Sequence, residues 1–146
     1  MKRKDFEMLE ANGVRVFGDL DSRANCPSEA IEQASLVNWL RREYPSGIGA
    51  LVVHIENEGK LSGGQFHQMR KRRAMGMTKG AADIIIPAGV SFVCEMKRTN
   101  YTKSKWQDGQ IEYLINAAAA GSFACVALGF SAGKEAILQW QKKRES

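Results

Sequence analysis

Apolar residues recur along this chain in two ways, and each predicts a different kind of element. After Pro27 they follow mostly helical spacing behind Ser28, a residue type that favours the start of a helix, and Pro45 ends the run. We therefore predict an amphipathic helix over residues 28–43. Three further helices are predicted, over residues 66–76, 111–120 and 131–144.

Short apolar runs rich in β-branched residues predict the strands. The segments with this character are residues 50–57, 82–87, 90–98 and 123–130. Because only a turn at Ala88 and Gly89 separates the second and third runs, we expect them to form an antiparallel hairpin. The resulting order is helix, strand, helix, hairpin, helix, strand, helix, which predicts one mixed α/β domain.

Two segments lack a clear period and are predicted to be loosely organised. The first 25 residues contain glycines that break any periodicity, although residues 14–20 could form a short strand or arm. Residues 99–110 are polar and are predicted to be mobile. We therefore expect an N-terminal arm over residues 1–27 and a folded domain over residues 28–143.

Length, composition and charge are those of a single soluble domain. The chain has 146 residues, and its 21 Lys and Arg against 16 Asp and Glu leave a net charge of +5. That excess suits a polyanionic partner such as nucleic acid, but many plain soluble proteins share it. No stretch approaches the roughly 18 apolar residues of a membrane span, and no signal peptide is recognisable. We expect a cytoplasmic protein without a membrane partner.

Cysteine and histidine are too few and too scattered for a zinc site. Cys26, Cys94 and Cys125 form no C-x-x-C pair, and only His54 and His67 could join them. The odd cysteine count also argues against a disulfide framework. Because Cys94 and Cys125 lie in apolar runs, we expect both to be buried reduced thiols.

Two segments are similar to nucleotide-binding motifs by their letters alone. Residues 61–65 read LSGGQ, as in ABC-type ATPases, and residues 129–135 read GFSAGKE, similar to a phosphate-binding loop. That loop needs four residues between its glycines and a Ser or Thr after the lysine, whereas this segment has three residues and then Glu135. We interpret the two segments as a turn and a helix start, and we expect no nucleotide cofactor.

The predicted hairpin carries the strongest candidate chemistry. Glu95 and Lys97 are two positions apart on a strand, so their side chains share one face. Cys94 and Met96 alternate with them and are expected to face the core. Pairing of the two strands brings Asp83 opposite this end of the hairpin. Two interpretations stay open here: a cross-strand ion network at the end of the sheet, or a working site with two carboxylates and a lysine.

A divalent metal ion would explain this combination of side chains. Mg²⁺ prefers oxygen ligands, usually one or two carboxylates together with waters and phosphate oxygens. Asp83, Glu95 and the backbone carbonyl of Met96 could supply ligands, and Lys97 could position or help to deprotonate a water. The pattern therefore indicates hydrolysis of a phosphodiester bond.

The same residues resemble the PD-(D/E)XK nucleases, and the wider pattern resembles their VRR-NUC branch, in its small stand-alone form from phages and bacteria. The similarity spans Ser28 to Trp140 in five ordered segments: SEAIEQASLVNWLRREYP, HIENEGKLSGGQ, RRAMGMTKGAAD, VCEMK and QIEYLINAAAAG. In the third, Ala82 stands where the family has a proline. Because that proline binds no metal, its replacement affects rigidity more than chemistry.

The resemblance implies a restriction-endonuclease-like fold, with helices flanking a mixed central sheet, and a Mg²⁺- or Mn²⁺-dependent endodeoxyribonuclease. Asp83, Glu95 and Lys97 match the family's catalytic set, and Gln110 matches a glutamine that orders the site. The resemblance also implies a homodimer acting on branched DNA, with four-way junctions as the leading substrate. A phage-encoded protein of this kind would work in the cytoplasm of the host.

The resemblance extends to the first helix, where Glu29 matches a glutamate that helps to bind the metal and to catalyse the reaction. Glu32 lies one helical turn further along, so the two residues could exchange this assignment. An acidic residue in the first turn of a helix is also favourable by itself, because it complements the helix dipole.

Basic residues on both sides of the catalytic strand are candidate phosphate contacts. They are Lys71, Arg72, Arg73, Lys79, Arg98, Lys103 and Lys105. A solvated helix face and a solvated loop explain any single one of them equally well. Trp106 lies in the same polar stretch, and we expect it to anchor its loop rather than to stack on a base.

Three functions are compatible with the sequence. The first is a structure-selective DNA endonuclease acting as a homodimeric Holliday junction resolvase. The second is a flap- or end-cutting nuclease of the same fold, and the third is a DNA-binding module without catalysis. The complete set of Asp83, Glu95 and Lys97 argues against the third, since a site that has lost its activity usually loses a member of the set.

Overall fold

A five-stranded mixed sheet lies at the centre of the computed structural model, which describes residues 1–55, 70 and 78–145. Its strands are β1 (Arg15–Phe17), β2 (Val53–His54), β3 (Ile84–Ile86), β4 (Phe92–Lys97) and β5 (Phe123–Leu128). Their spatial order is β1-β5-β4-β3-β2. β5 is parallel to both β1 and β4, whereas β3 is antiparallel to both β4 and β2. β4 and β5 are interior strands, and every one of their residues is buried.

Helices cover both faces of this sheet. They are α1 (Arg3–Ala11), α2 (Glu29–Glu43), α3 (Ile48–Leu51), α4 (Gln110–Ala119) and α5 (Phe130–Glu145), with a short 3-10 turn at Tyr101–Lys103. One face packs on α2, α3 and α5, with Leu36 and Trp140 among its fully buried residues. The other face packs on α1 and α4 through Phe6 and Leu114. The predicted mixed α/β domain is confirmed, and the covered faces explain why the inner strands are so apolar.

The predicted first helix and the predicted hairpin are both observed. The predicted helix over residues 28–43 is α2, and the Oγ of Ser28 accepts a hydrogen bond from the Ile31 N–H at 3.3 Å. The predicted hairpin is β3 and β4, which pair with Ile84 opposite Cys94. Cys94 and Cys125 are buried free thiols, as expected.

The N-terminal residues do not form the loose segment that was predicted. Phe6 and Leu9 are three positions apart on α1, so they share one face, and both are fully buried. β1 forms within residues 14–20, where a short strand was one of the possibilities, and it extends the central sheet beside β5. A helix of 9 residues has little stability of its own, so α1 depends on packing against the core. That packing is a tertiary contact, and the local sequence pattern does not reveal it.

Residues 99–110 were also predicted to be mobile, and this prediction is wrong. Tyr101 and Ser104 are buried in this segment. The side chain of Asn100 accepts a hydrogen bond from the Thr102 N–H at 3.1 Å. The backbone N–H of Arg98 donates to the Ser104 Oγ at 3.0 Å. These bonds to side chains replace the ladder bonds that a strand or helix would supply, so the polar sequence still forms an ordered loop.

Two predicted elements are covered only in part. The predicted strand over residues 50–57 begins instead in α3, and its extended part is the short β2. The predicted helix over residues 66–76 lies outside the described residues, apart from Arg70, which is helical and exposed. In the part of the chain that is described, none of the helices has the length and apolar character needed to cross a membrane.

Candidate active site

The candidate site lies where β4 ends and β3 begins. The antiparallel register of these strands, continued by one residue, places Asp83 opposite Glu95. Two helices begin at the same place, because Glu29 is the first residue of α2 and Gln110 is the first residue of α4. The structure thus brings together the five residues that the sequence suggested as catalytic: Asp83, Glu95, Lys97, Gln110 and Glu29.

Asp83 and Glu95 form a pair of buried carboxyl groups, with exposed fractions of 1% and 0%. The backbone N–H of Met96 donates to the Asp83 Oδ2 at 3.0 Å. The Gln110 Nε2 donates to the Glu95 Oε1 at 2.7 Å. The other oxygen, Glu95 Oε2, is buried without a hydrogen-bond partner among the described residues. An acceptor in this situation is costly unless a ligand satisfies it.

Burial raises the pKa of both carboxyl groups. For Asp83, desolvation outweighs the neighbouring Glu95 carboxyl group, the hydrogen bond from the Met96 N–H and the positive charge of Lys97, which lower the pKa. Desolvation and then the negative charge of Asp83 raise the pKa of Glu95 well above its ordinary value, against the attraction of Lys97. Two carboxylates are thus held together in a medium that disfavours their charge, which is the condition under which a cation stabilises them most.

Lys97 is fully buried beside these carboxyl groups. Its Nζ donates to the Lys105 carbonyl at 2.7 Å and to the Gln110 Oε1 at 3.0 Å. The same Nζ lies 3.7 Å from the Glu95 Oε1 and 3.9 Å from the Glu29 Oε1. Neither Glu95 nor Lys97 is exposed to solvent, so these charges form a buried ion network at the end of the sheet and not a surface ion pair.

Gln110 connects the lysine to the carboxylate. Its Oε1 accepts hydrogen bonds from Lys97 and from the Gln107 N–H, the latter at 2.8 Å, which leaves its Nε2 to donate to Glu95. Glycine allows this helix start to approach β3, since a Cβ on Gly80 would lie 2.4 Å from the Gly109 carbonyl oxygen. The amide is fixed in one orientation and holds both neighbours at once.

The two glutamates in the first turn of α2 have different surroundings. Glu29 points to Lys97, and its side chain is 25% exposed. Glu32 is buried and accepts a hydrogen bond from the Phe130 N–H at the start of α5. A Cβ on Gly129, which has φ +96°, would lie 2.6 Å from the Glu32 Oε2, so this contact requires glycine. The geometry associates Glu29 with the site and gives Glu32 a helix-capping function.

The donor set suits a hard divalent cation with few protein ligands. Among residues 1–55, 70 and 78–145, no group of three His, Cys, Asp or Glu side chains is arranged to hold a metal ion. Mg²⁺ needs fewer, because it commonly binds through one or two carboxylates and keeps several waters. Asp83 and Glu95 supply two carboxylates, and the Glu95 Oε2 has no hydrogen-bond partner among the described residues that would compete with an ion. The residues therefore fit such an ion.

The candidate phosphate contacts differ in their surroundings. Lys103 and Lys105 are exposed on the loop whose carbonyl holds Lys97. Lys79 is also exposed but forms an ion pair with Asp108. The remaining cluster of Lys71, Arg72 and Arg73 lies outside the described residues. Lys103 and Lys105 are thus exposed lysines on the loop that also supplies a hydrogen-bond acceptor to Lys97.

Arg98 is engaged within the protein. Its guanidinium donates to the Cys26 carbonyl at 2.7 Å and to the Pro27 carbonyl at 3.0 Å. These bonds tie the end of β4 to the segment that leads into α2. Arg98 therefore helps to place Glu29, and its contact with phosphate stays a prediction.

Sequence reasoning missed the groups that surround the Lys97 ammonium. The Lys105 carbonyl has no sequence signature, because every residue carries one. Trp106 was expected to anchor its loop, and its ring packs 6.0 Å from the ring of Phe6; the position of the same ring 5.0 Å from the Lys97 Nζ was not expected. The aromatic residues within a polar stretch were the available signal, since such residues are seldom left without a packing partner.

An open groove of about 1140 Å³ lies beside the site without including its carboxylates. Glu32 and Thr99 stand at the border between the two. The charged residues along the groove are Glu10, Arg15, Asp19, Glu32 and Glu135. This lining is mainly acidic, so a polyanion would be repelled from the groove rather than attracted to it.

A comparison with solved structures finds a protein with a similar fold. A chain named VRR_NUC domain protein matches with a TM-score of 0.65, covering 82% of this chain and 92% of that chain at 22% sequence identity. This likeness confirms the predicted fold class, a restriction-endonuclease-like core with a mixed sheet flanked by helices. No protein-family model matches the chain, and the search of curated proteins gives no match either.

Proposed function

We propose that this protein is a metal-dependent nuclease of the VRR-NUC type that hydrolyses phosphodiester bonds in DNA. One observation carries the proposal: Asp83, Glu95 and Lys97 meet in a buried cluster, and the Glu95 Oε2 has no described partner. Burying ionisable groups together costs free energy, so such a cluster is better explained by a catalytic role than by a contribution to stability. The fold shared with a VRR_NUC domain protein supports the same reaction class.

The proposed cofactor is Mg²⁺ or Mn²⁺. Asp83, Glu95 and the Met96 carbonyl would hold the ion, with Glu29 as a further carboxylate near the site. When bound, such an ion supplies positive charge to the phosphate and makes a nearby water more acidic.

The side chains of this protein position the reactants. Two of the three N–H groups of the Lys97 ammonium are used by the Lys105 carbonyl and Gln110. The third is available on the side of the carboxylates, where it can donate to the attacking water or to a phosphate oxygen. Gln110 is hydrogen-bonded to both the Glu95 carboxylate and the Lys97 ammonium, so it fixes their relative positions before the substrate binds.

The proposed DNA path runs on the side of Lys103 and Lys105 and away from the acidic groove. Exposed lysines beside a cluster of carboxylates would attract the phosphate backbone without reading its sequence. We place Lys71, Arg72, Arg73, Lys79 and Arg98 as further contacts on the basis of the sequence.

The finer proposal is selectivity for branched DNA by a homodimer, with four-way junctions as the substrate. The sequence resemblance to small stand-alone VRR-NUC proteins supports this choice. Two sites related by a twofold axis would suit symmetrical nicks in a junction. Two alternatives have to be distinguished from junction resolution by experiment. They are a flap- or end-cutting nuclease and a DNA-binding module without catalysis.

The test is cleavage by the purified protein of four-way junction, flap, duplex and single-stranded DNA, each with Mg²⁺, Mn²⁺ or EDTA. We expect junction cleavage with either metal and none in EDTA. Asp83→Ala should bind the junction but not cut it. Cleavage that persists in EDTA or in Asp83→Ala would overturn the mechanism, and DNA binding without cleavage would support the binding module.

Sedimentation of the free protein tests the assembly. A dimer at micromolar concentration is the expected result. A monomer that cuts flaps better than junctions would replace junction resolution by the flap-cutting alternative.

A further inference from the structure

An aromatic cluster connects the N-terminal helix to the Lys97 ammonium. The rings of Phe6 and Tyr101 meet edge to face with centroids 5.1 Å apart, and the rings of Phe6 and Trp106 lie 6.0 Å apart. The Trp106 ring centroid is 5.0 Å from the Lys97 Nζ. Fully buried Phe6 thus lies behind Trp106, and Trp106 lies against the lysine.

We propose that Trp106 is a positioning residue for Lys97, and that α1 supports it through Phe6. This inference rests on the proposed nuclease function, in which Lys97 acts at the reacting phosphate. The aromatic face and the Lys105 carbonyl together confine the ammonium beside Gln110 and the carboxylates. Trp106 acts through the lysine and touches no reacting atom.

The physical reason is the flexibility and charge of a lysine side chain. Its four-carbon stem has many rotamers, and a catalytic ammonium must occupy one of them. An indole face attracts a cation and also excludes water, and this attraction is strongest where the cation is desolvated. Lys97 is fully buried, so it meets that condition. Without the ring, the ammonium gains space and water as alternative partners.

Two substitutions separate the aromatic face from simple filling of space. Phe and Leu are both smaller than Trp, but only Phe presents a π face to the lysine. The Trp106 Nε1 has no hydrogen-bond partner among the described residues, so neither substitution removes a known hydrogen bond. We expect kcat to fall by about 10- to 30-fold in Trp106→Leu and by about 2- to 5-fold in Trp106→Phe, with little change in KM.

A matched control exists elsewhere in the chain. Trp39 is partly buried, and the Lys134 Nζ lies 5.6 Å from its ring centroid, so it forms a similar pair away from the site. Trp39→Leu should lower thermal stability while leaving kcat within about twofold of the wild type. Equal kcat values for Trp106→Leu and Trp106→Phe, or an equal loss in Trp39→Leu, would overturn the inference.

A second readout does not depend on nuclease activity. Brief acylation of primary amines with an N-hydroxysuccinimide ester, followed by peptide mass spectrometry, reports the access of reagent to Lys97. We expect severalfold more acylation of Lys97 in Trp106→Leu than in the wild type or Trp39→Leu. Unchanged acylation of Lys97 in Trp106→Leu would overturn the inference. If the wild type cuts no DNA, the proposed nuclease function fails, and acylation alone decides whether Trp106 confines the lysine.

Discussion

The two faces of β4 are equally buried but are built for different purposes. Cys94 and Met96 pack with apolar side chains of α2 and α5, as the core of a stable domain requires. Glu95 and Lys97 occupy the opposite face and are also completely buried, yet both are ionisable. Burial alone therefore does not distinguish a residue that stabilises the fold from one that the fold has to accommodate.

The comparison shows how the charged face is tolerated. The buried lysine has two hydrogen bonds, two nearby carboxylates and an aromatic ring around it. The apolar face needs no such partners, because close packing alone stabilises it. Removing side chains from one face should reduce stability, and removing them from the other should reduce activity.

The largest expected effect follows from replacing Lys97 by Met, which keeps most of the volume and removes the charge. We expect kcat for junction cleavage to fall by about a thousandfold or more, since the group would act on charge that develops in the transition state. Single-turnover cleavage with saturating metal is the measurement.

Phe92→Ala is the control on the opposite face, at the far end of β4 from the site. Loss of this fully buried side chain should cost about 3–5 kcal/mol of unfolding free energy and leave kcat nearly unchanged below the melting temperature. If Lys97→Met kept its activity while Phe92→Ala lost it, the assignment of the two faces would be reversed.

The two faces also show which parts of the molecule could be predicted from sequence. Alternation along β4 assigns Cys94 and Met96 to the core and Glu95 and Lys97 to the opposite face, because the strand period is a local property. The pairing with Asp83 followed from a short turn. These predictions need only the geometry of one hairpin.

The remaining parts depend on contacts between distant segments. Nothing in MKRKDFEMLE shows that Phe6 will lie behind Trp106, because that contact joins residues 100 positions apart. The choice between Glu29 and Glu32 was open for the same reason. Phe130, far along the chain, engages Glu32 and leaves Glu29 at the site.

Asp83→Asn should separate stability from activity on the charged face. Burial raises the pKa of Asp83 and of Glu95, so the folded protein holds these protons more tightly than the unfolded chain. Their contribution to stability is complete below their unfolded pKa values and is lost as the pH rises through the raised folded values. At about pH 8 in EDTA, the variant should therefore melt about 2–6 °C above the wild type while being inactive.

The advantage of Asp83→Asn should shrink towards about pH 5, where the wild-type pair retains more of its protons. Glu7→Gln, which removes an exposed carboxylate from α1, is the control and should not change the melting temperature. Adding Mn²⁺ at about pH 8 should stabilise the wild type but not Asp83→Asn, because only the wild type retains both carboxylates. A variant that melts below the wild type at both pH values would contradict this account.

Glu29→Ala and Glu32→Ala test whether the two glutamates in the first turn of α2 also differ in function, one contributing to activity and the other to stability. Glu29→Ala should lower kcat by about 10- to 100-fold with little change in stability, since its side chain is partly exposed and lies near Lys97. Glu32→Ala removes the acceptor of the Phe130 N–H and should cost about 1.5–3 kcal/mol of unfolding free energy with a small effect on kcat. Thermal melts and single-turnover rates decide between them. The opposite pattern would move the metal-side function to Glu32.

The smallest expected effect concerns DNA binding on the side of the charged face. Lys103→Ala with Lys105→Ala should weaken junction binding by about 3- to 30-fold at moderate salt and reduce the slope of log K against log salt by about 2. Titrations at several salt concentrations in Ca²⁺, which we expect to support binding without cleavage, provide the measurement.

Arg41→Ala with Arg42→Ala removes the same charge from the last turn of α2. These residues lie about 18 Å along the helix from Glu29, at a rise of about 1.5 Å per residue, and α2 packs on the apolar face of the sheet. The control should therefore leave the salt slope nearly unchanged. Equal slopes for the two double variants would mean that overall charge, and not the loop beside Lys97, attracts the DNA. Lys105 also accepts a hydrogen bond from Lys97 through its backbone carbonyl, which the substitution leaves in place. If the double variant binds DNA more weakly but keeps its single-turnover rate at saturating DNA, the Lys105 side chain contributes to DNA binding and only its backbone contributes to the position of Lys97.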